Sequence, residues 1–549
     1  VGSEMCIRDR LYNAEVVVTA DGMVVDSLTE QFGIRSLEFS PEFGFKLNGK
    51  KIFLQGNANH HDLGALGAAS YDRAIERMML QLKSFGYNCI RCSHNPYSES
   101  FARIADRVGM LVVNELTDKW SDNDYWGGRQ PFTHLWHKLI TEWIKRDRNR
   151  PSIILWSLGN ELQIREGWAG FEGTNDWGIT TYNIFNQLVK RWDHTRLTTV
   201  AMFPARAGAI TRHDKEFNDY LVPPELACAT EVASFNYQSD KYDAYLKYQP
   251  DLILFQSEAE TSKLLQPYYN MDRKRTVGMA YWGSAEYWGE SNKWPKKGWN
   301  YSFFDHTMRP YPQAYLIKSA FMPEIPEVHI GVVDAAGAES VSWNDVTVGR
   351  MALNECWNHI PGSRQSLFTY TNAHSVELLV NGQSMGVQQN DTTQANLRNM
   401  IYWKDVPYGN GGSVVAIARD KSGKEVARHR IETAGKAVAL QIETETPADW
   451  KADGMDLQYI NVTAIDKKGR PVWDYNEPLT LQMEGAARLV ALDNGDHYTD
   501  ELFQGITSKR MYQGRMQIIL RSTKTPSNVK LKISSADLKE KLSLKTFLK

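Results

Sequence analysis

The sequence predicts a multidomain protein whose centre is a (β/α)8 TIM barrel, preceded by part of an immunoglobulin-like β-sandwich and followed by two further β-sandwiches. Three observations predict it. At 549 residues the chain exceeds what one hydrophobic core organises, so three or four domains are expected. Between Lys51 and Phe321, short apolar strand-like runs alternate with helical periodicity, as in a parallel α/β architecture. Beyond Pro323 the pattern changes to apolar–polar alternation broken by Gly, Asn and Asp turns, as in antiparallel sheets.

The elements follow in chain order. Residues 1–10 (VGSEMCIRDR) fit neither the helical nor the strand period and read as a non-native or junction segment. Leu11–Val18, the turn Asp21-Gly22 and Met23–Ser27 predict a hairpin, and Gln31–Phe39 a further strand. Three strands are too few for a stable sandwich. Residues 11–44 are therefore expected to be the C-terminal part of an immunoglobulin-like domain whose beginning the chain lacks.

Residues 45–325 are expected to form the barrel. Its eight strands are predicted at Ile52–Gln55, Cys89–Cys92, Leu111–Asn114, Ile153–Ser157, Thr198–Ala201, Ala233–Asn236, Leu252–Gln256 and Gly278–Trp282. Helices are predicted at Ala74–Phe85, Ser98–Val108, Phe132–Arg148, Trp177–Trp192 and Gln313–Phe321. The span suits the roughly 250 residues of such a barrel. After it, Ser366–Tyr370, Val376–Val380 and Val414–Ala418 predict a β-sandwich over 326–436. Ala437–Ile442, Leu457–Ile465, Leu479–Met483, Met516–Arg521 and Val529–Ile533 predict an immunoglobulin-like one over 437–549.

Composition excludes several functions. With 63 Lys and Arg against 65 Asp and Glu, nothing favours nucleic acid or an anionic membrane as a partner. No run approaches the roughly 18 apolar residues of a membrane span. The oligomeric state is not written in the chain, and neither is the compartment, although a periplasmic or secreted location is compatible with the expected missing N-terminus. Five cysteines make no disulfide framework. Cys89 and Cys92 form a CxxC, but three residues apart on a strand they point to opposite faces and cannot share a metal.

In a barrel of this kind chemistry sits where strands end. The unusual polar groups fall there: His60, His61 and Asp62 after strand one, Arg91, Ser93, His94 and Asn95 near the end of strand two, and Asn160 and Glu161 after strand four. Tyr237 follows strand six, Glu258 strand seven, and Trp282 closes strand eight. Two carboxylates facing across a barrel mouth, about 5–5.5 Å apart, are what a retaining glycosidase needs. One is the nucleophile and the other the acid, then the base. An arginine from strand two favours an ionised carboxylate, whereas a proton donor needs a raised pKa.

These motifs resemble glycoside hydrolase family 2, of the β-galactosidase kind, from about Leu11 to the C-terminus. The resemblance rests on Phe32-Gly33-Ile34-Arg35 leading to Leu47-Asn48-Gly49-Lys50 and Gln55-Gly56, on Ile90-Arg91-Cys92-Ser93-His94, and on Trp156 to Glu161. It implies Glu161 as acid/base and Glu258 as nucleophile, with Arg91, His94, Asn95, Asn160, Tyr237 and Trp282 around them and His61 and Asp62 on sugar hydroxyls. Glu260 is the rival nucleophile, since it shares strand parity with Glu258. Metal-dependent members carry Glu-x-His after strand three, where this chain reads Asn114-Glu115-Leu116-Thr117-Asp118-Lys119-Trp120; no active-site metal and no cofactor are expected. Glucuronidases of the family carry Asn-x-Lys on the active face; none directly follows strand seven, and Asn48-Gly49-Lys50, which has the spacing, precedes strand one. The expected function is a retaining exo-β-glycosidase acting on oligosaccharide- or polysaccharide-derived β-glycosides, first a β-galactosidase. The alternatives are β-glucuronidase, β-mannosidase, or a carbohydrate-binding protein on a dead barrel.

Overall fold

The computed structural model describes residues 11–120, 132–162, 178–203, 223–291, 294–334, 339–343, 346–445 and 449–547. The expected non-native segment 1–10 lies outside the described residues. The chain divides into two units: Val1–His61 with Leu82–Trp282 and Val341–Val348, and Asp62–Gln81 with Gly283–Ser340 and Gly349–Lys549.

The first unit holds a closed barrel of β1 (Leu54–Asn59), β2 (Cys89–Cys92), β3 (Leu111–Glu115), β4 (Ile153–Asn160), β5 (Leu197–Met202), β6 (Val232–Asn236), β7 (Leu254–Ala259) and β8 (Gly278–Trp282). Neighbours pair in parallel, and β8 returns to β1. β2 and β8 have the expected bounds. β1 begins two residues after Ile52 and runs to Asn59, and its buried residues include Gly56, Asn57 and Asn59, which form no apolar run. The barrel interior is partly polar: Thr199 Oγ1 lies 2.6 Å from Ser234 Oγ, and Ser257 Oγ donates to Asn236 Oδ1 at 2.7 Å. Closure is tight at Gly278, where a Cβ would sit 2.3 Å from Leu54 Cβ and 2.5 Å from its carbonyl oxygen. Only glycine lets β8 approach β1 this closely.

Helices α1 (Asp72–Ser84), α2 (Glu99–Val108), α3 (Phe132–Asp147) and α4 (Ile179–Trp192) meet four expected ones. The expected start at Trp177 lies outside the described residues. α2 shows how local sequence sets the bounds. Ser98 accepts from the Phe101 amide at its N-cap, and Gly109, at φ 71°, closes it in the left-handed conformation.

At the N-terminus Leu11–Ala20 pairs with Met23–Gly33 about Asp21 and Gly22, whose φ of 52° and 76° suit a hairpin turn. The expected strand Gln31–Phe39 divides: its start ends this hairpin, and Leu37–Ser40 pairs instead with Gly44–Leu47, itself paired with Lys50–Lys51. The Phe-Gly-Ile-Arg motif docks this region on the barrel. Arg35 donates to Ile153 O at the start of β4, and a Cβ on Gly33 would lie 2.7 Å from Pro151 Cβ.

The second unit contains both C-terminal sandwiches. In the first, one sheet carries Val328–Val333, Arg364–Thr371 and Met400–Pro407, and the facing sheet Ser375–Val380, Ser413–Arg419 and Glu425–Glu432. Between them lie Ile330, Trp357, Leu367, Leu378, Trp403 and Ala416. In the second, Leu457–Ile465 buries both faces. Ile460, Val462 and Ala464 enter the sandwich core, whereas Leu457 and Tyr459 pack with Leu66, Ala74 and Ile519. Alternation along the strand separates the two sets.

Candidate active site

Arg91 is the hub of the site. The third residue of β2, it is fully buried, and its guanidinium donates to three side chains and, at 3.5 Å, to Ser257 O. Nε and Nη2 donate to Glu115 Oε2 at 3.0 and 2.7 Å, Nη1 to Glu258 Oε1 at 2.7 Å, and Nη2 to Asn160 Oδ1 at 2.9 Å. A planar fork can hold two carboxylates and an amide in this way, which a point charge cannot. Glu258 Oε2 accepts from the Tyr237 hydroxyl, so both its oxygens are held.

Glu161 belongs to the same network through amides. Asn236 Nδ2 donates to Glu161 Oε1 at 3.1 Å and to Asn160 Oδ1 at 3.0 Å. Both Glu161 and Tyr237 turn with positive φ, 51° and 61°, immediately after their strands. Left-handed backbone of this kind costs about 1–2 kcal/mol, and here it aims the two side chains at the mouth.

The end of β7 separates the two candidate nucleophiles. The register shift falls at Ser257, before both of them, and Glu258 lies within the strand whereas Glu260 is the first residue past it. Glu260 instead meets Lys263 Nζ at 2.9 Å. Glu260→Gln is expected to keep kcat/KM within roughly threefold, as loss of one half-exposed ion pair would; initial rates on an aryl glycoside check it.

His94 Nδ1 lies 2.6 Å from Glu115 Oε1, and its ring stacks on Trp282, with centroids 5.2 Å apart and planes 10° apart. Burial alone would push the His94 pKa down, but Asp118 and Glu115 outweigh it and raise it. Burial would raise Glu115 and Asp118, yet Arg91 and His94 hold the first below its ordinary range, and His94 and Lys119 the second. The raised His94 contributes stability fully present below its unfolded value and lost as pH rises through the folded one. The lowered carboxyls contribute stability present above their unfolded values and lost as pH falls through the folded ones. Together they stabilise most from about pH 4.5 to about 6.5. His94→Gln should flatten the alkaline decline of the melting temperature above that window, which thermal melts across pH will read; an unchanged slope would remove His94 as its source.

Other expected site residues are placed differently. The imidazole that reaches the cluster is His60, edge-on to Trp282 and His94 at 5.2 and 5.6 Å, whereas His61 packs on Tyr97 and Phe101. Successive residues leaving a strand diverge, and sequence alone does not say which turns inward. Asp62 accepts from the amides of Gly64 and Trp288 at 2.9 and 3.1 Å, a loop-holding arrangement. Asn95 is exposed and bonds its neighbour Pro96 O. Trp282 is 2% exposed, so it is also a core residue.

Glu115, Asp118 and Asn236 were not singled out as site residues. Glu115 and Asn236 end their strands and follow the same positional rule as the others. Lys119 Nζ reaches Asp118 Oδ1 and Asn160 O at 2.5 and 3.1 Å, filling the place beside the Asn160 backbone with an ammonium group.

The chain matches three family models: the family 2 glycosyl hydrolase TIM barrel domain over residues 42–277, the glycoside hydrolase family 2 C-terminal domain 5 over 440–542, and a domain of unknown function over 362–427. It is similar to β-galactosidase BoGH2A of Bacteroides ovatus, 27% identical across 96% of this chain and 65% of that protein. It also resembles a putative β-glucuronidase of Formosa agariphila, 26% identical across 94% of this chain and 50% of that protein. The crystal structure of a family 2 glycosyl hydrolase from Bacteroides cellulosilyticus superposes with a TM-score of 0.85 at 27% identity, covering 98% of this chain and 68% of the other. The chain thus spans about half to two thirds of these curated relatives' lengths.

Proposed function

Because the chain belongs to glycoside hydrolase family 2, we propose that it is a retaining exo-β-glycosidase, first a β-galactosidase, with Glu258 as nucleophile and Glu161 as acid/base. The asymmetry between the two carboxylates carries this reading. Glu258 is held by a guanidinium and a phenol, one on each oxygen. Glu161 takes a hydrogen bond from the amide of Asn236, and the reading assigns it the proton.

In the first step a Glu258 oxygen attacks the anomeric carbon, the bond to the leaving oxygen breaks, and Glu161 gives that oxygen its proton. In the second, Glu161 takes a proton from water, which displaces Glu258 and restores the starting configuration.

A β-glucuronidase is the second reading, favoured by the name of the relative from Formosa agariphila. Asn48-Gly49-Lys50 gives it no support, since Lys50–Lys51 and Gly44–Leu47 form the strands on either side of that turn, before β1. Nitrophenyl β-D-galactoside, glucuronide and mannoside, assayed side by side, test the assignment. Fastest release from the galactoside is expected. Fastest release from the glucuronide would replace the substrate, and release from none would leave a carbohydrate-binding protein.

A further inference from the structure

We propose that Glu286, His306 and His497 form a buried site for a divalent transition-metal ion of the zinc type, in the second unit and apart from the glycosidase residues. One ligand atom from each lies within 4.8 Å of the others. His306 Nδ1 and His497 Nε2 lie 3.2 and 3.0 Å from the same Glu286 oxygen, Oε2. Donors about 2.1 Å from a common ion are separated by about 3.0–3.4 Å at octahedral to tetrahedral angles.

Hydrogen bonding explains the cluster less well than an ion does. His497 is 4% exposed, and neither of its ring nitrogens has a hydrogen-bond partner. Its Nε2 thus approaches Glu286 at hydrogen-bond distance without hydrogen-bond direction, as two ligands aimed at a third point do. His306 is fixed from behind, because Nε2 lies 2.8 Å from Asp493 Oδ1. Donation there by a neutral ring leaves the Nδ1 lone pair facing a carboxylate oxygen, an arrangement that a shared metal ion relieves and that otherwise takes a second proton on the ring. A carboxylate behind a ligating imidazole is a recurrent outer-shell device of zinc sites.

The remaining surroundings agree. The Tyr311 hydroxyl donates to Glu286 Oε1 at 2.7 Å and orients the other oxygen. Trp288 covers both rings, 5.0 Å from His497 and 4.6 Å from His306. With neutral imidazoles, Glu286 and Asp493 carry two negative charges into a buried place, which one divalent ion offsets. Two nitrogens and one oxygen suit zinc over magnesium or calcium. The ion would tie the segment after β8 to the loop at Asp493–His497, a structural role.

Metal content of the tag-free full chain, measured by elemental mass spectrometry, tests this without using glycosidase activity. About one zinc per chain is expected, and Co2+ added after chelation should introduce a visible absorption band that the zinc form lacks. His497→Gln should abolish both, and Asp493→Asn should weaken zinc binding by about 10- to 100-fold, which keeps the test open if the first variant does not fold. His429→Gln, in the second His–Glu–His grouping with His329 and Glu355, should keep its zinc. Absence of stoichiometric metal with no Co2+ binding, or loss of zinc in His429→Gln but not in His497→Gln, would overturn the proposal and leave protonated histidines in its place.

Discussion

Replacing Glu258 by alanine is expected to lower turnover of every β-glycoside by at least on the order of 10^4-fold, whatever the leaving group. Glu258 is the carboxylate gripped by Arg91 Nη1 and the Tyr237 hydroxyl, and without it no covalent intermediate forms. Glu161→Ala should behave otherwise. An acid/base variant loses most with poor leaving groups and keeps its first step for dinitrophenyl glycosides, whose oxygen needs no proton. Azide separates the two roles by stereochemistry. Direct displacement in Glu258→Ala gives the α-glycosyl azide, whereas attack on the glycosyl-enzyme of Glu161→Ala gives the β product after two inversions. A β product from Glu258→Ala, or a dead Glu260→Ala beside an active Glu258→Ala, would reverse the assignment.

Arg91→Met is expected to cost both stability and rate. The side chain is fully buried between Glu115, Glu258 and Asn160, and removing one partner of a buried ion pair costs about 3–5 kcal/mol because the other charge stays behind. The rate should fall about 10^2- to 10^3-fold, the scale of losing one preorganised electrostatic contact. Arg91→Lys should recover little of either, since an ammonium cannot serve three acceptors in the geometry of the fork. Thermal melts and kcat/KM measured on the same preparations decide. Wild-type stability in Arg91→Met would mean that Glu115 and Glu258 are compensated elsewhere.

The carboxylate near the end of β7 and the Asn-Glu pair at the end of β4 are visible in the sequence because barrel chemistry follows strand ends, and strand ends follow from local apolar runs. For the same reason β2 and β8 have the bounds their residues predict. β1 was displaced because its core residues are Gly56, Asn57 and Asn59, whose burial becomes acceptable only once neighbouring strands surround them.

By itself the sequence determined the order of elements, the barrel, the antiparallel modules after it and the strand-end positions of Arg91, Asn160, Glu161, Tyr237 and Glu258, all consequences of periodicity and turn chemistry. Tertiary structure alone decided which side chains meet. His60 rather than His61 faces Trp282, and Glu258 meets Arg91 whereas Glu260, just past β7, meets Lys263. Glu286, His306 and His497 come together from distant segments with no common motif. The physical reason is the same in each case: strand parity and helical period are properties of neighbouring residues, whereas register shifts, loop paths and convergent ligands depend on contacts that exist only after the chain has closed on itself.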